Sequence, residues 1–173
     1  MNRLQTSRRT AVIAALVEGT SINATCRITG VAKHTVLKLL KDMGCACAAY
    51  HNVSVRNVTV RRVQADEIWA FVYGKDRNLT MEQIQAGAGS VWAWTAIDAD
   101  TKLILSYMVG DRGADIAYPF MKDVASRTRN RIQLTTDGHR VYANAVEDAF
   151  GSDIDYAMLV KIYGSSGDSP GQD

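Results

Sequence analysis

Apolar residues recur at helical spacing before Val63 and at strand spacing after it, and this change of period constrains the fold more than any other feature of the 173-residue chain. In the first part, residues 8–18 place Ala11, Val12, Ala15 and Leu16 on one helical face, and Gly19 ends the run. Ser21 can cap a second helix bearing Ile22 and Ile28. Gly30-Val31 then makes a tight turn, and residues 32–43 predict a third helix with Val36, Leu39, Leu40 and Met43 inward. In the second part, strands are predicted at 63–73, 89–98, 102–110, 131–136 and 154–162, with a hairpin turn at 98–102. A helical turn is read at 81–85 and helices at 115–127 and 139–150. Pro119 must kink the first of these helices or sit in its first turn. Residues 45–62, where Val53, Val55, Val58 and Val60 alternate with polar residues, read as an extended connector. The Gly- and Ser-rich residues 164–173 read as a disordered tail.

The net charge of +2 conceals a segregation. Residues 1–64 carry ten Lys and Arg against Glu18 and Asp42, a surplus of eight positive charges, which leaves the remainder six negative. A basic head on an acidic body suits contact with a polyanion; the plainer reading is a solvated basic face. Two short helices joined across a glycine turn, after a supporting helix, read as a helix-turn-helix domain over 1–44. In that arrangement Lys33, His34, Thr35 and Lys38, at the start of the third helix, are the candidates for contact with double-stranded DNA, the lysines mainly to phosphate. A plain three-helix packing module explains the same periodicity.

No apolar run reaches membrane-spanning length, and the first ten residues are too polar for a secretory signal. Three cysteines make no disulfide framework, so a reducing cytoplasm is the expected location. Cys45-Ala-Cys47 with His51 lacks the two-residue gap of a zinc knuckle, and buried thiols are the simpler expectation.

Two segments carry the chemistry: Val63-Gln-Ala-Asp-Glu-Ile-Trp69 and Ile132-Gln-Leu-Thr-Thr-Asp-Gly138. Each sets an aspartate, Asp66 or Asp137, in or at the end of an apolar strand. A carboxylate there is costly without a partner, and a divalent metal is a common one. Taken singly, each has a plainer reading: Asp137-Gly138 is a turn signal, and Asp66 would pair with Arg61 or Arg140. His139 reads as a surface residue opening a helix, Asp98 and Asp100 as turn residues, and Trp69, Trp92 and Trp94 as core.

Three antiparallel strands, a helix, a strand, a helix and a fifth strand is the order of a ribonuclease H-like α/β mixed sheet with flanking helices. In that topology the first and fourth strands are central neighbours, which sets Asp66 beside Asp137. Residues 61–69, 97–102 and 133–138, the run 142–163 and the upstream helices resemble transposases of the insertion-sequence-one family over nearly the whole chain. The resemblance implies a DDE-type domain that cuts the ends of an insertion element and joins them to target DNA. It implies Mg²⁺ (or Mn²⁺) as cofactor, Asp66 and Asp137 as metal-holding catalytic acids, terminal inverted repeats and target DNA as partners, and a homo-oligomer on DNA.

The family's third acid, a glutamate on a helix after the fifth strand, has no counterpart. The expectation is therefore a C-terminally truncated core over 63–163 with impaired activity, or a non-catalytic DNA-binding product that represses transposition. Glu147, about 12 Å along its helix, is expected to point away from the site, Asp168 and Asp173 lie in the tail, and Glu67 alternates to the opposite sheet face.

Overall fold

The computed structural model describes residues 4–160. The chain divides at the Ser54–Val55 junction into two compact units. The first is built from α1 (Thr6–Val17), α2 (Ile22–Thr29) and α3 (Lys33–Ser54). Val12, Val31, Val36 and Leu39 form its buried centre, with Leu16, Ile22 and Met43 packed against them. Ser21 caps α2 by accepting from the Ala24 N–H at 3.3 Å, and Gly30, at φ 65°, closes it by donating to the Cys26 carbonyl at 2.9 Å.

Several local expectations differ. Ile28 and Leu40 face solvent, and Thr25 takes the buried position on α2. Residues 44–54 extend α3 by about three turns rather than starting a strand. The alanines at 46, 48 and 49 favour the helix, and the valine alternation begins only at Val53. Cys45 and Cys47 are consequently exposed, not buried.

The second unit holds a five-stranded mixed sheet in the order β3-β2-β1-β4-β5. Its strands are β1 (Arg62–Val72), β2 (Gly89–Asp98), β3 (Ile104–Gly110), β4 (Ile132–Asp137) and β5 (Ile154–Leu159). β1–β2 and β2–β3 pair antiparallel, β1–β4 and β4–β5 parallel. The expected fifth strand reached Ile162; β5 closes at Leu159, and residues 161–162 and the tail lie outside the described residues.

Alternation puts Val63, Ala65, Trp94, Ala96, Ile132 and Leu134 on one buried face. There they meet Ala117, Phe120, Met121 and Val124 of α5 (Ala114–Arg127) and Tyr142, Ala145 and Val146 of α6 (Val141–Phe150) in one hydrophobic core. Pro119 lies in the second turn of α5, where the helix forgoes one backbone hydrogen bond. The short helix α4 (Met81–Gln85) sits in the β1–β2 connection, closed by a Thr80–Gln83 capping box.

The opposite sheet face displays Ile68, Tyr107, Val109 and Leu159 beside Gln64, Asp66, Thr135 and Asp137, and all four of the large apolar residues are exposed. Asp98 is buried in its turn, accepting from the Thr101 hydroxyl and the Asp100 and Thr101 N–H groups. Among the described residues, no helix is long and apolar enough to cross a membrane.

Candidate metal centre

The parallel register of β1 and β4 ends at the Ala65–Thr136 pair. Asp66 and Asp137 each follow by one residue, so they sit side by side on the same sheet face as the strands diverge. Both line a groove of about 920 Å³ that also takes in Thr95, Arg112, His139 and Arg140. The sequence expectation that the first and fourth strands bring these two aspartates together agrees with this geometry.

Glu67 is the departure. Alternation does put its backbone position with Val63 and Ala65, and its side chain is fully buried. Beyond the end of β4 pairing, however, the long side chain reaches the strand ends. One oxygen from each of Asp66, Glu67 and Asp137 lies within 4.8 Å of the others. Period-two reasoning fixes where a side chain leaves the backbone, not where a three-bond side chain ends.

Neither Arg61 nor Arg140 forms an ion pair with Asp66 among the described residues, and the arginine at the site is Arg112, on the other two acids. Arg112 donates from Nε to Glu67 at 2.9 Å and from Nη2 to Asp137 at 3.2 Å, with its guanidinium 4.7 Å from the Trp92 ring centroid. It stands in the loop between β3 and α5, flanked by Gly110 and Gly113. A Cβ on Gly110 would lie 2.5 Å from Ile116, so glycine lets the start of α5 close onto β3 and holds this loop at the groove. A charged residue between two glycines at a strand-to-helix junction was the available sequence signal.

His139 is half-buried rather than a surface residue. Its N–H donates to Asp137 at 3.0 Å, its Nε2 lies 3.2 Å from the Arg112 carbonyl, and its ring is 6.1 Å from those of Trp94 and Tyr142. The Glu67 N–H donates to Asp66 at 2.8 Å. Glu147 is exposed on α6 and is not part of the cluster; Asp168 and Asp173 lie outside the described residues.

Tyr142, in the first turn of α6, is fully buried below the acids. Burial drives its hydroxyl ionisation far above the ordinary range; Glu67 beside it, and then Asp137 and Asp66, push the same way. Glu67 and the hydroxyl are neighbours without a hydrogen bond of acceptable geometry. Glu67 Oε1 and the Tyr142 hydroxyl are therefore each buried without a partner.

An all-oxygen donor set suits a hard divalent cation such as Mg²⁺ or Mn²⁺, and orphaned polar atoms at its edge suit the waters such an ion keeps. The residues thus fit such a metal. In the three-helix unit, Lys33, His34 and Lys38 are exposed at the start of α3, Lys38 paired with Asp42, while Thr35 is half-buried. No protein-family model matches this chain, and no curated protein matches it significantly.

Proposed function

We propose that the chain is a DNA transposase of the DDE type, with a ribonuclease H-like core that cleaves and joins DNA strands and a helix-turn-helix head that binds duplex DNA. The observation that carries this reading is the juxtaposition of Asp66 and Asp137 at the ends of neighbouring central strands, in the order β3-β2-β1-β4-β5. The acids lie in an open groove, which suits a polymeric substrate better than a closed cavity suits a metabolite. The basic surplus of residues 1–64 supplies affinity for phosphate.

Bound Mg²⁺ or Mn²⁺ would supply charge stabilisation at the phosphodiester and a more acidic attacking water or 3′-hydroxyl. Asp66 and Asp137 would hold it. The backbone N–H of His139 fixes the Asp137 carboxylate, so that one oxygen is held in place before substrate arrives. Lys33, His34, Thr35 and Lys38 would present the DNA-facing end of α3, and copies of the chain would assemble on the element's terminal repeats.

The test is nicking of supercoiled plasmid in MnCl₂, run beside DNA binding. Nicking that disappears with EDTA and falls at least about 100-fold in Asp66→Asn and Asp137→Asn, with DNA binding retained, is the expected result. DNA binding without metal-dependent nicking in the unsubstituted chain would replace this reading with that of a non-catalytic DNA-binding repressor.

A further inference from the structure

We infer that Glu67 is the third carboxylate of the cation site, and that Arg112 is the internal counter-ion which balances Glu67 and Asp137 until a divalent cation enters. The inference rests on the metal reading of the same groove and goes beyond it in naming the ligand set and the competing group.

Three observations carry it. Glu67 contributes an oxygen within 4.8 Å of oxygens from Asp66 and Asp137, although its side chain is fully buried. The buried side-chain atoms that lack hydrogen-bond partners among the described residues are Glu67 Oε1 and the Tyr142 hydroxyl, and both belong to this one cluster. Native interiors rarely leave such atoms orphaned; the two are neighbours, so they mark one under-satisfied spot, and it lies at the cluster. Third, three carboxylates face one guanidinium, which leaves two negative charges uncompensated by that contact.

Arg112 offsets part of the repulsion among the three carboxylates. Its two donors meet Glu67 Oε2 and Asp137 Oδ2, while Glu67 Oε1 stays without a partner. A cation joining the three acids would take over charge that Arg112 now balances. The contact to Asp137, at 3.2 Å the longer of the two, is the one to yield. With a divalent cation in place, Glu67 Oε1 would be free to coordinate it while Oε2 keeps Arg112, which gives the orphaned oxygen a partner.

The experiment is a titration of the full chain with MnCl₂ alone, without DNA, read from the loss of the free Mn²⁺ electron paramagnetic resonance signal. Glu67→Gln is expected to weaken Mn²⁺ binding at least tenfold, about as much as Asp66→Asn does. Arg112→Gln is expected to strengthen it severalfold, because a competing cation is removed. The arginine arm keeps the inference exposed if the glutamine variant fails to fold, as circular dichroism will show. Mn²⁺ binding that is unchanged in Glu67→Gln but lost in Asp66→Asn overturns the role of Glu67 and leaves the two-aspartate reading intact. Binding that is unchanged or weaker in a folded Arg112→Gln overturns the counter-ion role. An unsubstituted chain that takes up no Mn²⁺ overturns both this inference and the metal reading beneath it.

Discussion

A buried hydroxyl without a partner has given up its hydrogen bonds to water and regained none, a loss of about 1–3 kcal/mol. Tyr142 is in that position, packed edge-on against Trp94 with ring centroids 5.4 Å apart. Tyr142→Phe keeps the ring and removes the orphan. In metal-free buffer with EDTA the substitution is expected to be neutral or to stabilise by about 1 kcal/mol, measured by urea unfolding. A loss of more than 2 kcal/mol would mean that the hydroxyl does have a partner. Trp94 itself is fully buried and donates its indole N–H to the Asp111 carbonyl at 3.0 Å, so it both fills the core and anchors the Arg112 loop. Trp94→Ala should cost about 3–5 kcal/mol by the same measurement.

Among the elements, α5 is held by a polar knot as well as by its apolar face. Asp123 accepts from the Ser106 hydroxyl of β3 and from Arg127, and Arg127 also donates to the Val55 carbonyl at 3.1 Å. Burial works to raise the Asp123 carboxyl. The hydrogen bonds from Arg127 and Ser106 and the charges of Arg127 and Arg56 outweigh it, and its folded value lies below the ordinary 3.8. A depressed carboxyl contributes stability that is full above its unfolded value and is lost as the pH falls through its folded one. Stability should therefore fall as the pH drops below 3.8, and Asp123→Asn should flatten that fall. At neutral pH the substitution should cost about 2 kcal/mol, because it removes a charged partner from buried Arg127. An acid limb as steep in Asp123→Asn as in the parent would contradict this assignment.

The same scale shows how far the sequence could be read. The limits of β2 and α4 agree with the predicted ones because turn residues bound them on both sides, and Ser21 and Gly30 bound α2 for the same reason. The C-terminal half of α3 was misread because valine alternation, which starts only at Val53, was extended backward over an alanine-rich stretch. The expected ribonuclease H-like strand order sets β1 beside β4, and the observed order β3-β2-β1-β4-β5 does the same, which brings Asp66 to Asp137. Glu67, Arg112 and Tyr142 were not legible in this way. Glycines at 110 and 113 mark the Arg112 loop, but where each of these long side chains ends is set only after the sheet has twisted and α5 and α6 have docked, which no residue spacing encodes.

For the whole molecule, the segregated charge would govern how it meets DNA if the proposed function holds. Three of the arginines in residues 1–64 (Arg56, Arg61 and Arg62) belong to the sheet unit, which leaves the helical unit a surplus of five positive charges and the sheet unit net acidic, so the helical unit should dominate phosphate contact. DNA affinity should drop steeply with salt. Lys33→Ala and Lys38→Ala should each weaken binding and lower the slope of log affinity against log salt by about 1. Fluorescence anisotropy at a series of KCl concentrations checks this. Slopes unchanged in both variants would move the DNA surface away from α3. Asp66→Asn should leave binding intact, since in the proposed function the acids would act on the phosphodiester rather than on affinity.

Whether Asp66 and Asp137 hold a divalent cation can be read from a crystal structure grown in MnCl₂ with data collected at the manganese absorption edge. An anomalous peak is expected in the groove between the Asp66 and Asp137 carboxylates, with Arg112 drawn back from Asp137. A well-ordered groove with no anomalous peak, and Arg112 still bridging Glu67 and Asp137, would contradict cation binding there.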